Sequence, residues 1–195
     1  MAHCVIEPDK GLYDAMNKGL KLASGDYVWF LNAGDTIFSD NTVREIVNTS
    51  DDGILPDIIY GETQIVDDQG NSLAMRRLKA PEKLSWKSFQ MGMLVCHQSF
   101  LVKRTIAESY DLHYRFTADY DWCIRCLKKA DTILNTRLIL SRFLEAGLSA
   151  ANRKESLKER YRIMCKNYGK LPTQIRHIWF AVRFYTAKWT KKTVS

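Results

Sequence analysis

An apolar run that stops abruptly at small polar residues constrains the fold of this chain more than any other segment. Residues 27–31 are all aromatic or aliphatic, and Asn32, Ala33, Gly34 and Asp35 follow them directly. The run is typical of a short buried strand. Because ligands bind outside the carboxyl ends of strands in open α/β sheets, we expect Asp35 to face a ligand. The same four residues also favour a simple turn, and this alternative stays open.

Helical and strand patterns alternate along the first 150 residues, which predicts an α/β fold. A helix over 12–23 is predicted from its apolar and small residues, which lie at positions 12, 15, 16, 19, 20 and 23. Two more helices are predicted, one capped by Asp40 or Asn41 and one over 121–129. Strands are predicted over 27–31, 58–61, 63–66, 73–75, 93–102 and 136–140, a loop over 79–92 and a short helix over 103–110.

The basic residues are concentrated in the C-terminal part of the chain. The formal net charge is +7, and residues 151–195 hold 12 Lys or Arg against two acidic residues, a local balance of +10. We therefore divide the chain into a body over 1–150 and a basic tail over 151–195. Helices are predicted in the tail near 152–168 and 173–190.

The second tail helix is amphipathic. Its predicted apolar stripe, flanked by Lys and Arg, consists of Ile175, Ile178, Trp179, Val182, Thr186 and Trp189. A basic amphipathic helix with tryptophans is typical of binding to an anionic membrane surface, here through residues 170–195. The alternative is that the stripe packs on the body or on a partner. Because the aromatic residues form an apolar stripe and not a stacking platform, we do not expect nucleic acid as a partner.

Cysteine usage and hydropathy indicate the compartment. The five cysteines are odd in number and scattered, which does not suggest a secreted disulfide framework. Cys123 and Cys126 form a C-x-x-C pair that we interpret as packing thiols, with redox or metal chemistry as the alternative. The first residues lack the pattern of a signal peptide, and no run approaches about 18 apolar residues. We expect a cytoplasmic location, with peripheral binding of the tail to the inner face of the membrane.

Three segments together resemble the family 2 glycosyltransferases, inverting enzymes of the GT-A fold that build bacterial polysaccharides. Residues 7–19 are similar to the loop and helix beside the nucleotide, and residues 30–35 stand where the family has its metal-binding Asp-x-Asp motif. Residues 118–122, with Arg125 one turn later, are similar to the acidic motif that supplies the catalytic base. The resemblance covers about residues 1–150 and implies a GT-A-like mixed sheet flanked by helices.

The resemblance also implies a role for each candidate residue. Asp119 is expected to be the general base, and Asp35 to hold Mn²⁺ or Mg²⁺ together with the donor diphosphate. The donor-binding residues are expected to be Asp9, Gly11, Asn17, Asn32 and Asp35, and those on the acceptor or diphosphate side His97, Gln98 and Asp121. Structural alternatives remain, because Asp119 and Asp121 suit a helix cap and a lone histidine is commonly packed in a core.

The implied reaction moves a sugar from a nucleotide-diphosphate sugar to a saccharide or a lipid-linked saccharide. Gly147 and Ser149 are expected in a segment that closes over the donor. The family domain begins with a strand and helix that bind the nucleotide base, whereas here Met1 stands six residues before Glu7. An N-terminally incomplete domain is therefore expected, and a non-catalytic remnant or partner-binding module is the alternative function.

Overall fold

A mixed β-sheet forms the centre of the computed structural model, which describes residues 4–49, 56–144 and 152–192. Its strands are β1 (Tyr27–Val28), β2 (Thr36–Ile37), β3 (Ile58–Val66), β4 (Ser72–Met75), β5 (Phe100–Lys103) and β6 (Ile133–Leu144). They run in the order β1-β5-β3-β6-β2, with β4 paired to the far half of β3. The long strands β3 and β6 are parallel, and the remaining pairs are antiparallel.

Helices cover both faces of this sheet. The helices are α1 (Leu12–Leu22), α2 (Thr42–Asn48), α3 (Ala118–Lys129), α4 (Arg153–Tyr168) and α5 (Lys170–Lys192), with 3₁₀ turns at Trp86–Met91 and His97–Ser99. Side chains alternate in direction along β3, so Ile58 and Tyr60 join a large core under α1 and α3, while Ile59 joins a smaller core with Ile46 of α2. The predicted α/β fold with a mixed sheet flanked by helices is confirmed.

Gly61 sets how closely the two parallel strands approach each other. A Cβ at this position would lie 2.5 Å from the backbone oxygen of Leu138 and 2.8 Å from the Thr136 hydroxyl. The pairing between β3 and β6 also shifts in register at this point. Only glycine therefore allows the strands to approach as they do.

Several predicted elements differ from those observed. The strand predicted over 27–31 has only its first two residues in the sheet, and the one predicted over 93–102 begins at Phe100 after a 3₁₀ turn. No helix forms over 103–110, and the loop predicted over 79–92 contains a 3₁₀ helix. Side chains explain two of these differences, because Arg76 and Asn17 bind backbone groups that a strand or helix would otherwise use.

The C-x-x-C pair lies on the core face of α3. Cys123 and Cys126 are fully buried and free. Burial raises the pKa of the Cys126 thiol to about 12, and it raises the pKa of Cys123 as well. Because the thiolate is the reactive and metal-binding form, the two cysteines act as packing residues.

The basic tail forms a helical hairpin. Helix α4 packs on the core through Ile163 and Met164, and Gly169, with a φ of +87°, connects it to α5. Across residues 4–49, 56–144 and 152–192, no helix combines the length and apolar character needed to cross a membrane. The segment predicted to close over the donor, with Gly147 and Ser149, lies outside the described residues.

Candidate active site

Asp35 lies in a tight turn after β1, and its side chain is held by neighbouring donors. The backbone amide of Asp35 donates to the Asn32 carbonyl at 3.0 Å, so the predicted turn is present. The carboxylate accepts from Gln98 Nε2 at 2.7 Å and from the Leu144 amide at 3.0 Å. A third, longer bond comes from the Asn32 amide at 3.3 Å. The turn thus positions a carboxylate at the sheet edge.

Asp119 lies in the first turn of α3, where the helix dipole stabilises a negative charge. Its Oδ1 accepts from the Tyr13 hydroxyl at 3.1 Å and from the Tyr120 amide at 2.9 Å. Among the described residues, no donor reaches Oδ2. The carboxylate is therefore fixed in position through one oxygen while the other can accept a proton.

A buried aromatic cluster connects the two carboxylates. Nε2 of His97 lies 2.6 Å from the Tyr110 hydroxyl, and the Tyr110 ring stacks on Tyr13 with 5.4 Å between centroids. Phe30, three residues after β1 begins, stacks on His97 at 5.7 Å and meets the Tyr110 ring edge-on at 5.4 Å. Tyr13 binds Asp119, and Gln98, the neighbour of His97, binds Asp35. Continuous contacts therefore connect the two acidic side chains.

The charges of both candidate carboxylates influence His97. His97 is 4% exposed, and its burial lowers its pKa. The negative charges of Asp119 and Asp35 act in the opposite direction and with smaller effect. Burial therefore favours the neutral imidazole, although both acidic side chains oppose this effect.

The N-terminal loop has local contacts of its own. Asp9 Oδ1 accepts from the Gly11 amide at 2.8 Å, and Gly11 precedes α1 with a φ of +120°. Asp9 also lines an open groove of about 400 Å³ together with Glu7 and Lys18. Asn17 uses its amide group in two reciprocal bonds with the Tyr110 backbone, at 2.6 and 3.0 Å. Asn17 thereby positions the aromatic cluster, whereas Asp9 and Gly11 remain open to a ligand.

Asp121 occupies a different position from the one expected. It is the fourth residue of α3, not its cap, and it is 0% exposed. Its carboxylate pairs with Arg125 at 2.6 Å, and Arg125 also contacts Glu108 at 2.5 Å. The alternative of a capping role for Asp121 is wrong because α3 begins three residues earlier. Full burial also gives Asp121 no surface for an acceptor, so its role is to anchor the helix.

The sequence analysis missed Glu159, which holds the segment before α3. This α4 residue is 9% exposed and accepts from the amides of Arg115, Phe116 and Thr117 at 2.9–3.0 Å. It also accepts from the Thr117 hydroxyl at 3.1 Å. The only signal in the sequence is that Glu159 is one of two acidic residues in a basic tail. Its position determines where Asp119 is placed.

The fit of a divalent cation depends on Asp35. Among the described residues, no group of three or more His, Cys, Asp or Glu is arranged to hold a metal ion. Oδ1 of Asp35 accepts a single hydrogen bond from the described residues, which leaves it a lone pair for a cation. Mg²⁺ is commonly bound by one or two carboxylates plus substrate phosphates. Asp35 therefore fits a cation that takes its other ligands from a diphosphate and water.

The family model described as "Glycosyl transferase family 2" matches residues 2–110 of the chain. The chain belongs to this family. The matched region contains Asp9, Asp35 and His97, while Asp119 follows shortly after it. The family resemblance seen in the sequence is thereby confirmed.

Curated relatives agree with this assignment. The chain is 29% identical over 126 residues to a PGL/p-HBAD biosynthesis glycosyltransferase of Mycobacterium bovis, covering 62% of this chain and 45% of the relative. It is 32% identical over 122 residues to the amylovoran biosynthesis glycosyltransferase AmsB of Erwinia amylovora, covering 58% of this chain and 40% of the relative. The chain thus spans about half the length of the curated relatives it matches.

Solved structures show the same fold. S. aureus TarS 1–349 superposes with a TM-score of 0.54 at 11% identity, covering 84% of this chain and 48% of that one. The complex of TarS 1–349 with UDP-GlcNAc gives a TM-score of 0.53 at 12% identity, covering 85% of this chain and 50% of TarS 1–349. At this identity the likeness shows the fold alone, and it confirms the GT-A-like mixed sheet.

Proposed function

We propose that this family 2 glycosyl transferase moves a sugar from a nucleotide-diphosphate sugar to a hydroxyl group of a saccharide or lipid-linked saccharide. The observation that carries the proposal is the chain of contacts between the two acidic residues: Asp35 is bound by Gln98, the neighbour of the buried His97, and Asp119 is bound by Tyr13 of the same aromatic cluster. In the proposed transfer one acidic group holds the cation and the other takes the acceptor proton. Asp35 is bound by the Gln98 amide, whereas Asp119 is bound by the Tyr13 hydroxyl. The TarS structure with UDP-GlcNAc supports a nucleotide sugar as the donor class.

The proposed reaction is a single displacement with inversion. The acceptor oxygen forms a bond to the anomeric carbon while the bond from that carbon to the donor diphosphate breaks. The acceptor proton passes to Oδ2 of Asp119, and the electron pair of the broken bond leaves with the diphosphate. Tyr13 supports this step because burial raises its pKa well above the ordinary value, so it stays a phenol that donates to the other oxygen.

The donor side is assigned to the turn after β1. Asp35 would hold Mg²⁺ or Mn²⁺, which when bound neutralises charge on the departing diphosphate. Asn32 is placed to hydrogen-bond the donor sugar or ribose, and Gln98 keeps the Asp35 side chain in place. Asp9 and Gly11 line the loop proposed for the nucleotide.

The Asp35→Asn variant tests the donor side. We expect Mn²⁺ to strengthen nucleotide-sugar binding to the unaltered chain and the variant to lose this gain, by about tenfold or more, because the amide removes the anionic cation ligand. Calorimetric titration with UDP-, GDP- and TDP-sugars, with and without MnCl₂, measures it. Asp40→Asn, an exposed carboxylate nearby, is the matched control. Equal Mn²⁺ dependence in Asp35→Asn and the unaltered chain would contradict the assignment.

The apolar stripe of α5 supports peripheral binding to an anionic membrane. Ile175, Ile178, Trp179 and Val182 are 45–66% exposed, whereas Thr173 on the opposite side is fully buried. The described part of the stripe therefore points away from the body, and the alternative of packing on the body is not observed for it. The side chains of Thr186 and Trp189 lie outside those described. Apolar residues flanked by basic ones suit an anionic lipid surface.

Flotation with liposomes tests this surface. The double variant Ile175→Glu and Ile178→Glu is expected to reduce co-flotation with phosphatidylglycerol-containing vesicles at least about tenfold, because it places charges in the lipid-facing stripe. Leu73→Glu alters a similarly exposed apolar residue on β4 and is expected to co-float with the vesicles as much as the unaltered chain does. Unchanged co-flotation of the double variant would contradict the proposal that α5 binds the membrane.

A further inference from the structure

Three buried hydroxyl groups meet beside the 3₁₀ turn at His97–Ser99. Oγ of Ser99 lies 2.7 Å from the Thr63 hydroxyl of β3 and 2.7 Å from the Ser141 hydroxyl of β6. It also donates to the backbone carbonyl of Glu62 at 2.9 Å. The three hydroxyl residues are at most 2% exposed, so water does not compete for these bonds. Thr63, Ser99 and Ser141 together are called the hydroxyl cluster below.

Ser99 is the centre of the hydroxyl cluster. A carbonyl oxygen can only accept, so the single hydroxyl proton of Ser99 goes to Glu62. Thr63 and Ser141 then donate to the two lone pairs of Ser99 Oγ. The pairing of β3 with β6 shifts in register on both sides of Glu62, so the cluster ties the 3₁₀ turn to an irregular part of the sheet.

The hydroxyl cluster also joins the two segments that hold Asp35. Ser99 directly follows Gln98, whose Nε2 donates to Oδ2 of Asp35 at 2.7 Å. Ser141 stands three residues before Leu144, whose amide donates to Oδ1 at 3.0 Å. The contact between Ser99 and Ser141 therefore connects the backbones that carry both donors. Because the carboxylate is held through both oxygens, the separation of these donors sets the direction of the remaining lone pair of Oδ1.

Other contacts fix the orientation of the Gln98 amide. Its Oε1 accepts from the Cys96 thiol at 3.0 Å, and its backbone carbonyl accepts from Nε1 of Trp29 at 2.8 Å. Burial raises the pKa of the Cys96 thiol, so the sulfur keeps the proton that it donates. The amide therefore presents its NH₂ group to Asp35, and a movement of the turn would move that group with it.

We propose that Ser99 is a positioning residue for the cation site: through the hydroxyl cluster it keeps Gln98 and Leu144 where both donate to Asp35. This inference rests on the proposed role of Asp35 in holding Mg²⁺ or Mn²⁺. Ser99 is fully buried, so it acts through Asp35 and not by contact with the substrate. Removal of its hydroxyl leaves two buried donors without their acceptor, and the turn and the end of β6 can then move apart.

Ser99→Ala tests the proposal through cation dependence. We expect the gain in nucleotide-sugar binding from Mn²⁺ to fall about three- to tenfold, less than the roughly 10–100-fold typical of groups bonded directly to a metal ligand. Binding without Mn²⁺ should stay unchanged. Calorimetric titration with and without MnCl₂ measures both. Thr136→Val is the matched control, because it removes another buried hydroxyl between β6 and β3, the one that donates to the Tyr60 carbonyl at 3.1 Å.

Hydrogen exchange of the Leu144 amide tests the same link without a cation or a substrate. In Ser99→Ala this amide is expected to exchange about threefold faster or more, because its bond to Asp35 is weakened. Thr136→Val should leave its exchange unchanged. Thr63→Val removes one donor to Ser99 and keeps the shape of the side chain, so it supplies both measurements if Ser99→Ala does not fold.

The outcomes separate this inference from the proposed function. An unchanged Mn²⁺ gain in Ser99→Ala, with circular dichroism confirming a folded variant, would overturn the positioning role, and so would an equal change in Thr136→Val. A further loss of the gain when Ser99→Ala is added to Asp35→Asn would overturn it too, because the hydroxyl would then act elsewhere. A chain with no Mn²⁺ gain would refute the proposed cation site. Faster Leu144 exchange in Ser99→Ala alone would then still support the positioning of Asp35, and equal exchange would overturn it.

Discussion

Asp119→Asn is expected to reduce sugar transfer by roughly 10²–10⁴-fold, the usual contribution of a general base. The amide keeps the acceptor oxygen that Tyr13 and the Tyr120 amide use, so the start of α3 should stay in place. It removes the basic Oδ2 that takes the proton. Because Asp119 does not contact the cation ligand Asp35, donor binding should change by less than about twofold.

Transfer is measured by the release of nucleoside diphosphate. The donor is the nucleotide sugar identified by calorimetry, and a lipid extract of the source organism supplies the acceptor. Asp131→Asn, an exposed carboxylate just after α3, provides the matched control. The expected result is a large loss of turnover in Asp119→Asn alone, at unchanged donor affinity. Comparable turnover in Asp119→Asn and Asp131→Asn would remove Asp119 from the role of base.

Glu159→Gln is expected to lower the free energy of unfolding by about 2–4 kcal/mol, since hydrogen bonds to a charged group contribute about 1.5–3 kcal/mol each and an amide nitrogen cannot accept. In the native chain the Glu159 carboxylate accepts four hydrogen bonds from the segment before α3, three from backbone amides and one from the Thr117 hydroxyl. The variant would turn an NH₂ group toward some of these donors. The first turn of α3, with Asp119, should then lose its fixed position.

Urea unfolding followed by tryptophan fluorescence gives the free energy. Glu155→Gln, an exposed residue of the same helix that pairs with Lys158, is expected to change stability by less than about 0.5 kcal/mol. If Glu159→Gln unfolded at the same urea concentration as Glu155→Gln, the carboxylate would not be what holds the segment.

Elements with strong local patterns were predicted well. The helix over 12–23 is α1, the strands predicted over 63–66 and 73–75 lie in β3 and β4, and both tail helices are present near their predicted bounds. In these places apolar periodicity and turn residues agree with the final structure. The turn at Asp35 was likewise predicted from its small polar residues, although the strand before it already ends at Val28.

Residues 93–110 were predicted poorly because distant side chains control their backbone. Arg76 binds the carbonyls of Met93 and Leu94, and Asn17 binds the amide and carbonyl of Tyr110. Prediction from local sequence considers only nearby residues, and neither Arg76 nor Asn17 is close in sequence to the backbone groups that it binds. The apolar run was therefore predicted as one strand, although only its last residues join the sheet.

The amino-acid sequence by itself determined the alternation of helices and strands, the family, the basic amphipathic tail and the two acidic residues to consider, because each depends on residues close together in the chain. Tertiary structure alone decided that Asp121 is enclosed, that Glu159 holds the segment before Asp119, and that Nε of Arg160 is buried without a hydrogen-bond partner among the described residues. These features depend on burial and on partners 15 or more positions away. Burial and long-range hydrogen bonds become defined only when the elements pack, and they give a carboxylate or guanidinium its chemical role.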